Sequence, residues 1–126
     1  KQALRCSFVP GKGGVLIKGA SGKTLLAFCD EKIRSKILNQ YFSKDQALEQ
    51  EALVKELSII RERGYGRSVG EIDEGVLGIS APIIRQKNAF AVVTLMAPFF
   101  RSEQKEAQFI DLVTATAEEI THIINQ

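Results

Sequence analysis

Apolar positions along the chain follow two rhythms, one helical and one of strands. Over residues 45–63, Leu53, Leu57 and Ile60 share a helical face, and Glu49, Lys55, Glu56 and Arg63 supply the wet side. Gly64 stops this predicted helix, as a residue that readily takes positive φ. Residues 102–124 predict a longer helix with Ile110, Val113, Ala117, Ile120 and Ile124 as its buried stripe. Ser102 is its expected N-cap, and Glu103 and Glu106 suit the dipole at its start. Two shorter helices come earlier. Ser21 is the expected N-cap of one carrying Leu25, Leu26 and Phe28, and Asp30 caps another with Ile33, Ile37 and Tyr41 at every fourth position.

The period changes to two in residues 75–84 and 89–97. Leu77, Ile79, Ala81 and Ile83 share one face of the first strand, opposite Val76, Gly78, Ser80 and Pro82. In the second, Phe90, Val92, Thr94 and Met96 oppose Ala91, Val93, Leu95 and Ala97. Gln86-Lys87-Asn88 makes the turn between them, with Asn88 suited to left-handed geometry. Pro82 has no N–H for a ladder, so its strand is an edge there or carries a bulge. Residues 3–9 read as a further short strand and residues 10–14 as a loop. Helices, then a hairpin, then a closing helix predict an α+β domain, an antiparallel sheet flanked by helices.

Composition narrows the function. The 126 residues suit one domain, and no apolar run is long enough to cross a bilayer, so no membrane partner is expected. Seventeen basic and fifteen acidic residues leave a net charge of +2, without the basic stripe of a nucleic-acid binder. Arg61-Glu62-Arg63 and Arg67 read as a solvated helix end, and Glu71, Asp73 and Glu74 as loop solvation. Cys6 and Cys29 form no disulfide framework, which places the chain in a reducing cytoplasm, and the single His122 assembles no metal site. There is no nucleophile–base pair, paired-carboxylate signature or cofactor motif. The expectation is therefore no enzyme, no cofactor and no metal.

One motif invites a nucleotide-binding interpretation. Gly19-Ala20-Ser21-Gly22-Lys23-Thr24 follows an apolar segment and opens a helix. A phosphate loop needs a longer glycine-to-glycine spacing, so that successive N–H groups wrap the phosphate. Ile17 stands where its first glycine belongs, and the strand over residues 89–97 offers no terminal Asp for magnesium. An ATPase is not expected.

The same residues resemble the effector-binding half of the IclR family of bacterial transcription regulators. The resemblance lies in Gly19 through Phe28; in Ile60-Arg61, Gly64-Tyr65-Gly66, Ser68-Val69-Gly70-Glu71 and Gly75-Val76; and in Ile79 through Ile83, Ala97-Pro98 and Arg101. It spans nearly the whole chain. It implies a GAF-like effector-binding domain over residues 1–126, lacking its opening helix and strands. It further implies a winged helix-turn-helix outside this chain that contacts operator DNA, and assembly as homodimers or homotetramers.

The start of a helix favours a carboxylate, because its first N–H groups lack partners within the helix. The family's effectors are often small carboxylic or aromatic acids, and the resemblance puts their contacts at Ala20, Ser21, Gly22, Ser68, Val76, Gly78, Thr94 and Met96. Strand parity agrees: Val76 and Gly78 share one face, and Thr94 and Met96 share one face of the neighbouring strand. Gly78 leaves room, Thr94 offers a hydroxyl and Met96 an apolar wall. Ser68 and Met96 depart from the more polar contacts of family members, which points to a less polar effector. A rival expectation is a domain that only dimerises and has no working effector pocket.

Overall fold

A computed structural model describes residues 17–126, apart from the side chain of Arg101. The strand expected over residues 3–9 and the loop at 10–14 lie outside the described residues. The helices are α1 (Gly19–Phe28), α2 (Glu31–Tyr41), α3 (Ala47–Arg63), the single turn α4 (Phe99–Ser102) and α5 (Glu106–Ile124). The strands are β1 (Gly66–Val69), β2 (Val76–Arg85) and β3 (Asn88–Pro98). They form one antiparallel sheet in the order β1-β2-β3. The domain is α+β, as the period switch predicts.

The odd-numbered face of β2 buries Leu77, Ile79 and Ala81 against Val113 and Ala117 of α5. A second cluster on the α1 side gathers Leu26, Ala27, Leu38, Leu53, Leu57 and Ile60 from α1, α2 and α3. The helix over residues 45–63 thus buries its predicted face, although it opens with a 3-10 turn, Lys44–Gln46. Gly64 ends α3 at φ +91, its N–H bonded to Ile60 O at 2.8 Å.

Several expectations need correction. Ser21 is not the cap of α1: the helix begins at Gly19, and Ser21 lies within the first turn. Asp30 does cap α2, accepting from Lys32 and Ile33 N–H, but Leu38 is its buried residue, while Ile33 and Tyr41 are exposed. Ser102 does not cap the last helix. It ends α4, buried, with Oγ donated to Pro98 O at 2.7 Å and within bonding distance of Phe99 O, and a 3-10 turn at Glu103–Lys105 separates it from α5. Ile124 is exposed, so the buried stripe of α5 centres on Val113 and Ala117. The turn between β2 and β3 takes positive φ at Gln86 and Lys87, and Asn88 instead pairs with Arg85. Two left-handed residues match the twist of a tight hairpin.

Strand β1 was not expected. Its four residues show no apolar alternation, because Gly66 and Ser68 face α1 while Arg67 and Val69 face α5. β1 begins at Gly66 opposite Ser80, so β2 is central up to that residue and open on one side beyond it. Pro82 lies in the open stretch, where no donor is needed, and a bulge follows at Ile83/Ile84. Thr121 Oγ1 of α5 accepts from Ile84 N–H at 3.0 Å and Asn125 Nδ2 donates to Ile84 O at 2.8 Å, which covers the edge at Ile84.

Gly66 lets α1 lie close to β1. A Cβ there would meet Thr24 Oγ1 at 2.2 Å and Ala20 O at 3.1 Å. Thr24 is fully buried, and its hydroxyl has no hydrogen-bond partner among the described residues. Gly66→Ala should therefore destabilise the fold by about 1–3 kcal/mol, through overpacking of a helix-on-sheet contact. Thr24→Val, which replaces the unsatisfied hydroxyl with a methyl, should be neutral or stabilising by up to about 1 kcal/mol. Urea denaturation of the two variants beside the wild type checks both signs.

Candidate ligand-binding cleft

The first turn of α1 rests on the even-numbered face of β2 and on β3. Between them runs a cleft lined by Gly19, Ala20 and Ser21 of α1, Ser68 of β1, Val76 and Gly78 of β2, and Thr94 and Met96 of β3. Ile72 and Asp73, from the loop joining β1 to β2, complete the lining. Seven of the eight residues expected from the sequence are thus brought together. Gly22 is not among the lining residues. As the fourth residue of α1, it is the first whose N–H can close a bond inside the helix.

The register puts Gly78 beside Met96 and Ser80 beside Thr94. Ser80 extends the face of Val76 and Gly78, is fully buried, and belongs to a triangle of hydroxyls. Thr94 Oγ1 lies 2.7 Å from both Ser21 Oγ and Ser80 Oγ, and the two serine oxygens are 3.3 Å apart. Three hydroxyls in a ring can each donate once and accept once, so the triangle is internally satisfied and can still accept from outside. Strand parity could have identified Ser80. Ile72, Asp73 and Gly19 carry no periodic signal that marks them.

The donors at the helix start are not all waiting for a ligand, and this corrects the expectation of unpaired N–H groups there. Gly19 N–H donates to Glu71 Oε1 at 3.0 Å, and Ala20 N–H donates to Ser68 Oγ at 3.1 Å. Side chains distant in sequence thus do the capping expected of Ser21, which leaves Ser21 Oγ for the triangle. Glu71 is no mere solvating acid. Its Oε1 also lies 2.7 Å from the buried ammonium of Lys23, which in turn donates to Glu56 Oε2 at 2.9 Å. Burial pushes the Glu71 carboxyl up, but the Lys23 hydrogen bond, the Gly19 N–H and the Lys23 and Lys18 charges outweigh it and hold it below the usual carboxylate range. Burial likewise pulls Lys23 down, and its bonds to Glu71 and Glu56 overcome that and raise it.

In this arrangement the cleft encloses about 20 Å3, room for one water. A larger hollow of about 720 Å3 is an open groove on the opposite side, between the end of β2, α5 and Arg63. None of the residues expected to bind a ligand lines it. Arg63, which lines that groove, donates to Tyr65 O and lies over the Tyr65 ring; elsewhere Arg61 donates to Ala27 O and Arg67 pairs with Glu106. Among the described residues no group of His, Cys, Asp and Glu could hold a metal ion. No helix of the described residues is long and apolar enough to cross a membrane.

A helix start set on a three-stranded antiparallel sheet is a fold shared with regulator domains of known structure. Residues 1–122 match the family described as the bacterial transcriptional regulator IclR C-terminal domain, and the chain belongs to that family. It is similar to the C-terminal domain of a transcriptional regulator from Vibrio cholerae, at 36% identity and a TM-score of 0.79, over 93% of this chain and 70% of that one. It also resembles a regulator from Rhodococcus sp. described as IclR-family, at 28% identity and a TM-score of 0.79, over 97% of this chain and 48% of that one. An IclR homologue from Microbacterium hydrocarbonoxydans, solved with 4-hydroxybenzoate, shares the fold at 22% identity and a TM-score of 0.67, over 82% of this chain and 43% of that one. The chain thus spans about half the length of such longer regulators. None of the curated proteins matches it. The family and these neighbours are transcriptional regulators.

The carboxylate of Glu71 titrates with a depressed pKa in the folded domain, so its contribution is fully present above its unfolded value of about 4.3 and is lost as pH falls through the lower folded value. Glu71→Gln should lower the melting temperature near neutrality and flatten its decline in acid. Thermal denaturation between about pH 3 and pH 7 reads both effects.

Proposed function

We propose that this chain is the ligand-sensing domain of a bacterial DNA-binding regulator, that its effector is a small carboxylic or aromatic acid, and that it performs no catalysis. The observation that carries the reading is the convergence of Ala20, Ser21, Ser68, Val76, Gly78, Thr94 and Met96 on one cleft. The cleft has the makeup of a small-molecule site, with apolar walls from Val76 and Met96 and a few directed hydroxyls. A carboxylate would accept a hydroxyl hydrogen bond that one member of the Ser21–Ser80–Thr94 triangle withdraws from its neighbour, close to the positive end of the α1 dipole. That 4-hydroxybenzoate accompanies the Microbacterium homologue supports an aromatic acid as the first to try.

In this reading the whole protein works in a reducing cytoplasm as a homodimer or homotetramer and grips operator DNA through a domain outside this chain. Occupancy of the cleft shifts α1 on the sheet and, through α3 and α5, the presentation of the DNA-binding domains. Such coupling requires a difference in affinity between two states, typically about 1–3 kcal/mol. The narrowness of the cleft favours a second reading, in which the domain only dimerises and this junction is a packing seam.

A melting assay against 4-hydroxybenzoate and a panel of short-chain and aromatic acids separates the two. An effector at a hundred times its dissociation constant should add about 2.7 kcal/mol of stability, and Thr94→Val should abolish the shift. If no acid moves the melting temperature, sensing is lost as an explanation and dimerisation remains.

A further inference from the structure

We propose that the loop from Gly70 to Gly75 is a gate over the cleft and that Glu71 is the latch that holds it shut. The proposal rests on the sensing reading, because it concerns entry to the same cleft. Its starting point is a mismatch of size. Ligand sites span roughly 300–1,000 Å3, so a space that holds one water must widen before an acid of any useful size can enter.

Most of the lining is tied down. Val76, Gly78, Thr94 and Met96 belong to the β2–β3 ladder, and Ser68 belongs to β1, its hydroxyl holding Ala20 N–H. Ser21 is bonded across to β3. Ile72 and Asp73 alone come from a segment outside helix and strand. That segment is bracketed by glycines in the left-handed region, Gly70 at φ +70 and Gly75 at φ +73. An added Cβ at Gly70 would meet nothing within 4 Å, so glycine is required there by the backbone angle and not by space. The base of the loop is pinned by Gly70 N–H donating to Val76 O at 3.0 Å, and by Phe99 N–H donating to Gly75 O at 2.8 Å. A pinned base with a bent tip is the form of a hinged flap.

Two residues of the tip, Glu71 and Ile72, are held to the start of α1. Glu71 takes Gly19 N–H and the Lys23 ammonium, and Ile72 packs on the Gly19 backbone, with its Cγ1 2.9 Å from where a Cβ would stand. When the flap lifts, Lys23 keeps Glu56 and so is not stranded as an unpaired buried cation. Lifting also frees Gly19 N–H beside Ser21, which gives an incoming carboxylate a donor that the closed cleft withholds.

Amide hydrogen exchange of the full chain tests this without any ligand. Peptides covering residues 17–24, 70–76 and α5 are compared in the wild type, Glu71→Gln, Gly70→Ala and Glu74→Gln. Glu71→Gln keeps the shape of the latch but removes its charge, so exchange at Gly19 and across residues 70–76 should quicken about tenfold while α5 keeps its rate. Gly70→Ala, strained in the closed loop, should quicken the same peptides, and Glu74→Gln, which leaves the Glu71 contacts to Gly19 and Lys23 in place, should not. The gate is overturned if Glu71→Gln leaves these peptides at the wild-type rate, or if α5 quickens in step with them, since the loop would then open only with the whole fold. Failure here would leave sensing to be judged by the melting assay, and failure of that assay would leave these exchange rates unaffected.

Discussion

The site exists because a helix lies with its first turn directly against a sheet, closer than side chains normally permit. Gly66 and Gly78 make that approach possible. A Cβ at Gly66 would overlap Thr24, and one at Gly78 would sit 3.3 Å from Ser68 Oγ and 3.5 Å from the Ala20 methyl. At such range the helix cannot meet the sheet through long side chains, so the contact is made by small polar ones. Ser68 reaches the Ala20 N–H, and Ser21 reaches Ser80 and Thr94. A cleft lined by short hydroxyls is the direct consequence of close packing at glycine.

Close approach also leaves an unsatisfied group. Thr24 Oγ1 is buried against Gly66 without a hydrogen-bond partner among the described residues. A buried orphan hydroxyl costs about 1–3 kcal/mol, and it stands one turn from the donors that form the cleft. The apolar clusters that flank this junction, Leu26 with Leu57 and Ile60 on one side and Leu77 with Ile79 on the other, supply the stability that lets it stay polar.

What the sequence discloses depends on whether a feature is periodic. The odd face of β2 and the buried face of α3 are legible because apolar residues repeat at the spacing of strand and helix. The convergence of Val76, Gly78, Thr94 and Met96 follows from the same parity once the two strands pair. Capping is only half legible. Asp30 has its acceptor two and three residues from its partners, and local pattern finds it. Ser21 and Ser102 look equally good as caps, but their hydroxyls are drawn away, one to another strand and one back to the end of β3. The acceptors that cap α1 lie some fifty residues further on, at Ser68 and Glu71, and no local pattern can announce a cap supplied by tertiary structure. β1 is silent for a related reason: Gly66 and Ser68 are small where α1 passes, so the alternation that marks a strand is erased.

The Lys23 cluster shows how a buried charge can be both stabilising and releasable. One ammonium, only 7% exposed, is shared by Glu56 of α3 and Glu71 of the β1–β2 loop, and both carboxylates are more open to water than the cation between them. The surplus negative charge is therefore the solvated part of the cluster, where it costs least. Removal of either glutamate leaves a neutral pair, whereas removal of the lysine leaves two carboxylates facing each other across the space it filled. The two glutamates nevertheless differ in consequence. Glu56 sits in the middle of a helix and cannot move without α3, while Glu71 sits beside a left-handed glycine in a loop and can. An ion triplet with one partner on a rigid element and one on a hinged segment keeps its cation paired in either position of the loop, and this makes opening at the cleft compatible with a core that stays intact.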